Sequence, residues 1–277
     1  MSDERPYQPG VISVTSLIKP PQLYSLEIVH GDEIVEDVSD RIWALLGSAV
    51  HSVLERAQVD NVLQEEELRT TALGWTVTGR PDLYEEPGLL SDWKVTSVYA
   101  FLNGVKVEWE QQVNLYAWLY GLHGFPVEEA RILAILRDWT KAKANGTHYP
   151  PAAALALPVT LWPVELQEQF VLERVLLHKA VIEGLTPPPP CTPQERWRRP
   201  TTYAVTKFGN KRAARVLETL TEADAWRLEQ SKPSDFNIEQ RRGASVRCED
   251  GYCDVARWCP QFQMMRQERD DADQGTY

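Results

Sequence analysis

Apolar side chains recur at helical intervals between residues 39 and 58: Ile42, Leu45, Leu46, Ala49, Val50, Val53 and Leu54. At about 100° per residue they share one face, and Gly47, His51 and Glu55 lie one turn apart on roughly the opposite one. This predicts a helix over 39–58, opened by Ser39 as N-cap. Three short stretches follow, 61–70, 74–84 and 88–95, punctuated by Gly and Pro, and read as a strand meander. Helical spacing returns over 108–120 and stops at Gly121. Residues 131–139 hold the run Ile132-Leu133-Ala134-Ile135-Leu136, suited to a buried strand, and an amphipathic helix covers 164–185. Helix, three strands, helix, strand, helix predicts an α/β fold with a mixed sheet between helices.

The run Pro187-Pro188-Pro189-Pro190 favours extended polyproline and marks a boundary. The expected organisation is an N-terminal segment over 1–38, a core over 39–186 and an extension over 187–277 whose last eight residues form a polar tail. No window approaches 18 uninterrupted apolar residues, so no membrane partner is expected. The first residues lack the basic-then-apolar order of a signal peptide, which predicts a cytoplasmic protein.

The net charge of −11 argues at first against a polyanionic partner. The distribution of that charge is uneven. Up to Pro190 there are 14 basic and 26 acidic residues, and beyond it 15 and 14. Arg196, Arg198, Arg199, Lys207, Lys211, Arg212 and Arg215 fall within twenty residues free of acid, interleaved with Trp197, Tyr203 and Phe208. This stretch suits contact with a nucleic-acid strand, cations meeting phosphates and rings stacking on unpaired bases. Alternatively it is a solvated helix face, since Lys207, Lys211 and Arg215 are helically spaced.

The richest chemistry lies in Gly79-Arg80-Pro81-Asp82, followed after nine residues by Asp92-Trp93-Lys94. Carboxylates on adjacent strands can hold Mg²⁺ or Mn²⁺, and a nearby lysine can assist attack on a phosphodiester. Asp92 and Lys94, two residues apart, leave the same face of a strand. The carbonyl of Val95 offers a neutral oxygen ligand, and Mg²⁺ needs few protein oxygens.

This order resembles the PD-(D/E)XK nuclease superfamily, with Pro81-Asp82 and Asp92-Trp93-Lys94 standing for its name-giving residues. Gly47-Ser48-Ala49-Val50-His51 is similar to the Gly-x-x-x-His motif of its RecB-like group, which includes the CRISPR-associated adaptation nucleases. Gln112-Val113-Asn114-Leu115-Tyr116 resembles that group's Gln-x-x-x-Tyr motif. The resemblance implies a PD-(D/E)XK restriction-endonuclease-like core with His51, Asp82 and Asp92 as metal ligands, Lys94 aiding the attack or the developing charge, and Gln112 and Tyr116 next to the site, contacting nucleic acid. It also implies a further acid among Glu65, Glu66 and Glu67. Ile12 to Ile18 and Cys191 to Trp197 look similar to tailed-phage nucleases. A histidine ligand should let Mn²⁺ serve as well as Mg²⁺ and should make activity fall below about pH 6.5. Glu55 is either a partner for the imidazole or a surface acid.

All four cysteines lie beyond the core: Cys191, then Cys248, Cys253 and Cys259 within twelve residues. Thiols so spaced in an intracellular chain suggest ligation. The resemblance implies a [4Fe–4S] cluster, although relatives place the first cysteine before the histidine motif; tetrahedral Zn²⁺ and free thiols are the alternatives. The expected function is a divalent-metal-dependent DNA exonuclease acting on single-stranded or end-exposed DNA in phage recombination, repair or replication. The rival is a non-catalytic DNA-binding or assembly subunit retaining the fold. No phosphate-binding Gly-x-x-x-x-Gly-Lys-Ser/Thr loop is present, so unwinding would fall to a helicase or recombination partner.

Overall fold

The computed structural model describes residues 7–35, 37, 42–54, 56 and 62–274. Ser39, Glu55, Gln58 and Asn61, invoked above, lie outside the described residues. The chain forms two compact units, one of Met1–Ile28 and Val35–Pro188, the other of Val29–Ile34 and Pro189–Tyr277. Among the described residues no helix is long and apolar enough to cross a membrane.

The first unit is mixed α/β. Strand β1 (Val11–Ser13) runs into the single turn α1 (Val14–Leu17), where the Ser13 hydroxyl accepts the Ser16 amide as N-cap. Helices α2 (Pro21–His30) and α3 (Ile42–Leu54) precede the strands β2 (Val62–Gln64), β3 (Leu68–Ala72), β4 (Trp75–Gly79), β5 (Leu83–Glu85) and β6 (Leu89–Thr96). The expected three-strand meander is therefore five strands, and they belong to two sheets. One has the order β1-β4-β3; the other, completed by β7 (Glu129–Leu136) and β8 (Ala154–Val159), has the order β2-β5-β6-β7-β8. Only β6 and β7 run parallel in the larger sheet. The sequence pattern did not indicate β8, because Pro158 argues against a strand; as an edge strand it tolerates the missing donor.

Between β6 and β7 run α4 (Val98–Leu102) and α5 (Val107–Leu122), and α6 (Val164–Ile182) follows β8. Helix α5 continues through Gly121, where it was expected to stop. A helical glycine costs only about 1 kcal/mol against alanine, which packing overrides, and Val113 to Tyr120 are all buried. Asn114 within that stretch is satisfied: its amide donates to the Glu110 and Thr160 carbonyls at 2.9 and 3.0 Å, and its Oδ1 accepts the Trp162 amide at 2.7 Å. Around α5 pack Ile12, Leu17, Val77, Leu90, Ile132, Val171 and Val175 to form the core.

Helix α3 turns His51 toward the sheet and leaves much of its apolar stripe exposed. It lies against β6, yet Ile42, Trp43, Leu45, Leu46 and Val53 are exposed, while Gly47, Val50, His51 and Ser52 are half-buried. Periodicity identifies an amphipathic helix but not which side meets the sheet. Here the polar side faces the sheet's carboxylates, and the Trp43 ring is covered by the Arg137 guanidinium at 4.0 Å.

The second unit contains β9 (Thr202–Lys207), β10 (Arg215–Leu217) and β11 (Phe236–Arg241), antiparallel in the order β10-β9-β11. Helix α7 (Leu220–Leu228) opens with a reciprocal capping box between Thr219 and Glu222, and α8 (Val246–Glu249) and α9 (Pro260–Gln274) complete the unit. The helix-face reading of Lys207, Lys211 and Arg215 is thereby corrected: two of them end or begin strands, and Lys211 lies in the turn between. The tail reading is corrected over 270–274, where α9 runs to Gln274; residues 275–277 lie outside the described residues.

Candidate active site

Strand register builds the site. In β2 and β5, Gln64 opposes Leu83; one residue further, Glu65 faces Asp82, and the Glu65 amide donates to the Asp82 carbonyl at 3.2 Å. In β5 and β6, Leu83 opposes Ser91, so the same step sets Asp82 against Asp92. Residues directly opposed across antiparallel strands point the same way. Glu65, Asp82 and Asp92 thus form a row across three strands, at the point where the chain leaves the smaller sheet after β4 and enters the larger one. Lys94, two residues past Asp92, leaves the same face.

His51 of α3 closes the row. Its Nδ1 lies 3.4 Å from Glu65 Oε1 and 3.4 Å from Asp82 Oδ1. Among the described residues, His51, Glu65 and Asp82 are the group of three or more potential metal ligands whose donor atoms lie within 4.8 Å of one another. Glu65 is the acid that the sequence left undecided. Its φ of 53° is a left-handed conformation uncommon for a residue with a side chain, and it turns the carboxylate toward His51. Glu66 is exposed, and Glu67 pairs with Arg69 and Arg80. Only the pairing of β2 with β5 distinguishes the three.

Asp82 accepts the Trp93 amide on Oδ2 at 2.6 Å. Burial, followed by the charge of Asp92, pushes its pKa up to about 7 against the relief from His51 and Lys94. His51 is also raised, chiefly by its hydrogen bond to Glu65, with burial opposing. Asp92 is 1% exposed. Lys94 Nζ forms an ion pair with its Oδ2 at 2.6 Å, and Oδ1 is buried without a hydrogen-bond partner. The Lys94 ammonium also donates to Gln112 Oε1 at 3.0 Å, and Gln112 Nε2 donates to the Tyr116 hydroxyl at 3.0 Å. Val95 follows Lys94 in β6, in register with Ile135.

The structure thus brings together His51, Asp82, Asp92, Lys94, Gln112 and Tyr116, all named from sequence, and adds Glu65. A row of opposed carboxylates is destabilising by itself. With the buried, unpartnered Oδ1 of Asp92, it makes a donor set that fits a divalent cation.

In the second unit the basic residues separate. Arg196 is committed internally, donating to the Cys191 carbonyl at 3.1 Å, to Ser245 Oγ at 2.9 Å and to Met265 Sδ at 2.8 Å. Arg198 and Arg199 are exposed beside Trp197. The Trp197 ring contacts Tyr252 at 5.3 Å between centroids and Arg247 at 5.5 Å. Lys207, Lys211 and Arg212 are exposed around the β9–β10 turn with Phe208, and Lys207 lies 3.9 Å from Asp235 Oδ2.

Cys191, Cys248, Cys253 and Cys259 also converge. Gln261 clamps Cys191 through both its backbone groups, at 2.9 and 3.0 Å. Burial and the other three cysteines, together with Glu195, push the Cys191 thiol up to about 12; burial likewise raises Cys253 to about 11 and raises Cys248.

No protein-family model and no curated protein matches the sequence. Among solved structures, one described as the crystal structure of SSO0001 is 17% identical, covering 70% of this chain and 83% of its own, with a TM-score of 0.47. An alkaline exonuclease from Laribacter hongkongensis is 12% identical, covering 64% of this chain and 91% of its own, with a TM-score of 0.38; the same exonuclease in complex with dAMP gives 0.39.

Proposed function

We propose that the first unit is a divalent-cation-dependent DNA nuclease of the PD-(D/E)XK type, RecB-like, acting on single-stranded or end-exposed DNA. The observation that carries this reading is the row of Glu65, Asp82 and Asp92 with His51 and Lys94 on it. His51, Glu65, Asp82 and Asp92 would hold the cation, with the Val95 carbonyl as a further oxygen. One imidazole among oxygens suits Mn²⁺ as well as Mg²⁺. When bound, the cation supplies Lewis acidity toward the phosphodiester and acidifies water.

The chain's own groups do the rest. Lys94 donates hydrogen bonds to the scissile phosphate or to the attacking water and offsets the charge that develops on phosphorus-bound oxygen. Burial of Asp92 and Asp82 keeps bulk water from weakening those interactions. Hydrolysis joins a water oxygen to phosphorus and breaks the opposite ester bond, and the departing oxygen takes up a proton.

In the second unit Arg198, Arg199, Lys207, Lys211 and Arg212 would meet strand phosphates. The four cysteines would hold a [4Fe–4S] cluster. Tetrahedral Zn²⁺ held by the same four thiolates is the alternative. Unwinding, where required, would come from a helicase partner.

Purified protein with Mg²⁺ or Mn²⁺ should cleave labelled DNA and spare RNA, and Asp92→Ala should abolish cleavage. Absence of any Asp92-dependent cleavage of single- or double-stranded DNA sinks the reading. Protein purified without oxygen should be brown and contain iron and sulfide; colourless protein carrying zinc would exclude the cluster.

A further inference from the structure

We infer that Gln112 and Tyr116 are positioning residues for Lys94 and make no contact with the nucleic-acid strand. The inference rests on the nuclease reading above and assigns these two residues a different role from the one their motif implied.

Tyr116 is inaccessible to a strand. It is 4% exposed and packed under Gly79, so its ring and hydroxyl are out of reach of a chain lying on the surface. Gln112 is half-buried, and both ends of its amide are engaged, the oxygen by Lys94 and the nitrogen by Tyr116.

Donor chemistry fixes the order of the three groups. An ammonium has only hydrogens to offer, so the amide must turn its oxygen to Lys94. That leaves its NH₂ facing Tyr116, whose hydroxyl oxygen accepts. The two residues are four apart on one face of α5, inside a helix whose next eight residues are buried, so the pair has a rigid base. Burial, followed by the charge of Asp92, raises the Tyr116 pKa and keeps its hydroxyl neutral.

The need for such a device follows from the position of Lys94. Its ammonium sits 2.6 Å from Asp92 Oδ2, on a carboxylate that would also hold the cation. A lysine with no other anchor would follow that carboxylate or swing away on its four-carbon stem when the cation binds it. Gln112 gives the ammonium a second fixed partner, so it stays beside Asp92 whether or not the carboxylate is engaged elsewhere. Tyr116 in turn holds the amide in the one orientation that presents oxygen.

Two measurements on the full chain test this. Affinity for a labelled single-stranded oligonucleotide in EDTA should stay within about twofold of wild type for Gln112→Leu and Tyr116→Phe, as for groups outside substrate binding. With Mn²⁺, kcat should fall about 10- to 100-fold for Gln112→Leu and about 3- to 10-fold for Tyr116→Phe, as for lost hydrogen bonds to a charged and a neutral partner. In a Lys94→Ala background Gln112→Leu should cost nothing further, because it acts through the lysine. Oligonucleotide affinity weakened tenfold or more, unchanged kcat, or additive losses in the double variant would each overturn the inference. Wild-type protein that fails to cleave would instead remove the nuclease reading, and this role with it. Should Gln112→Leu melt well below wild type, Tyr116→Phe, which deletes one oxygen, decides alone.

Discussion

Asp92 is fully buried, and its Oδ1 has no hydrogen-bond partner, so it stands to gain from a cation. Ligand that binds only the folded state stabilises it by about 2.7 kcal/mol at a hundredfold excess over Kd. Mn²⁺ should therefore raise the melting temperature of the wild type and leave that of Asp92→Asn unmoved, as differential scanning calorimetry would show. Asp82 must be ionised to accept the cation. Because its pKa lies near 7 and that of His51 is also raised, Mn²⁺ affinity should fall as pH drops through about 7. Calorimetric titration at pH 8, 7 and 6 checks this, and a flat profile would exclude Asp82 as a ligand. Stability of the cation-free protein has two opposed contributions. Asp82, raised above its unfolded value, contributes stability fully present below about pH 4 and lost as pH rises through 7. His178 is fully buried, donates Nε2 to the Leu17 carbonyl at 3.1 Å and has an orphaned Nδ1. Burial, then Arg174, lowers its pKa to about 4, so its contribution, about 3 kcal/mol, is present above pH 6.5 and lost as pH falls through 4. Asp82→Asn removes the first and leaves the second, so acid melts between pH 7 and 4 should show this variant losing more stability than the wild type.

Elements carry the site by close packing as well as by register. Gly79 ends β4 directly beneath α5, and a Cβ there would meet Leu119 Cδ1 at 2.5 Å and the Tyr116 ring at 3.1 Å. Both neighbours are held in the core, so Gly79→Ala should cost about 1 to 3 kcal/mol in a urea melt, and displacement of Tyr116 should lower cleavage. Such an approach between distant elements is also where the sequence ceases to be informative. Asp92 and Lys94 were legible because their meaning is local: two residues apart on a strand share a face whatever the strand pairs with, whereas Asp82 was singled out by its Pro-Asp resemblance. The helical stretch containing His51 was equally plain. Glu65 was hidden among three glutamates because only its pairing partner singles it out. The periodicity of α3 left open which face meets the sheet, and charge complementarity turns His51 toward it. Gln112 and Tyr116 were recognised as a pair, but their hydrogen-bond partner lies 18 residues away from Gln112 on β6, beyond any local pattern.

Across the molecule, the acidic excess lies before Pro190, where it includes the site's own carboxylates, and the 15 basic and 14 acidic residues beyond it are nearly balanced. Binding of a strand should then depend on a few cations and respond strongly to salt. Replacing Lys211 and Arg212 by alanine should reduce the slope of log K against log[salt] by about one for each phosphate left unneutralised, measured by anisotropy titrations in EDTA. The second unit is discontinuous in sequence: six residues, Val29–Ile34, belong with a segment that begins at Pro189. His30 from that short piece stacks on Trp258 with centroids 4.4 Å apart and planes 7° from parallel. On a ribosome the two rings emerge 228 residues apart, an interval of about 10 to 45 s at ordinary elongation rates. The second unit therefore cannot close during synthesis until nearly the whole chain has emerged, and a stop anywhere before Trp258 leaves its opening strap waiting for a partner that never arrives.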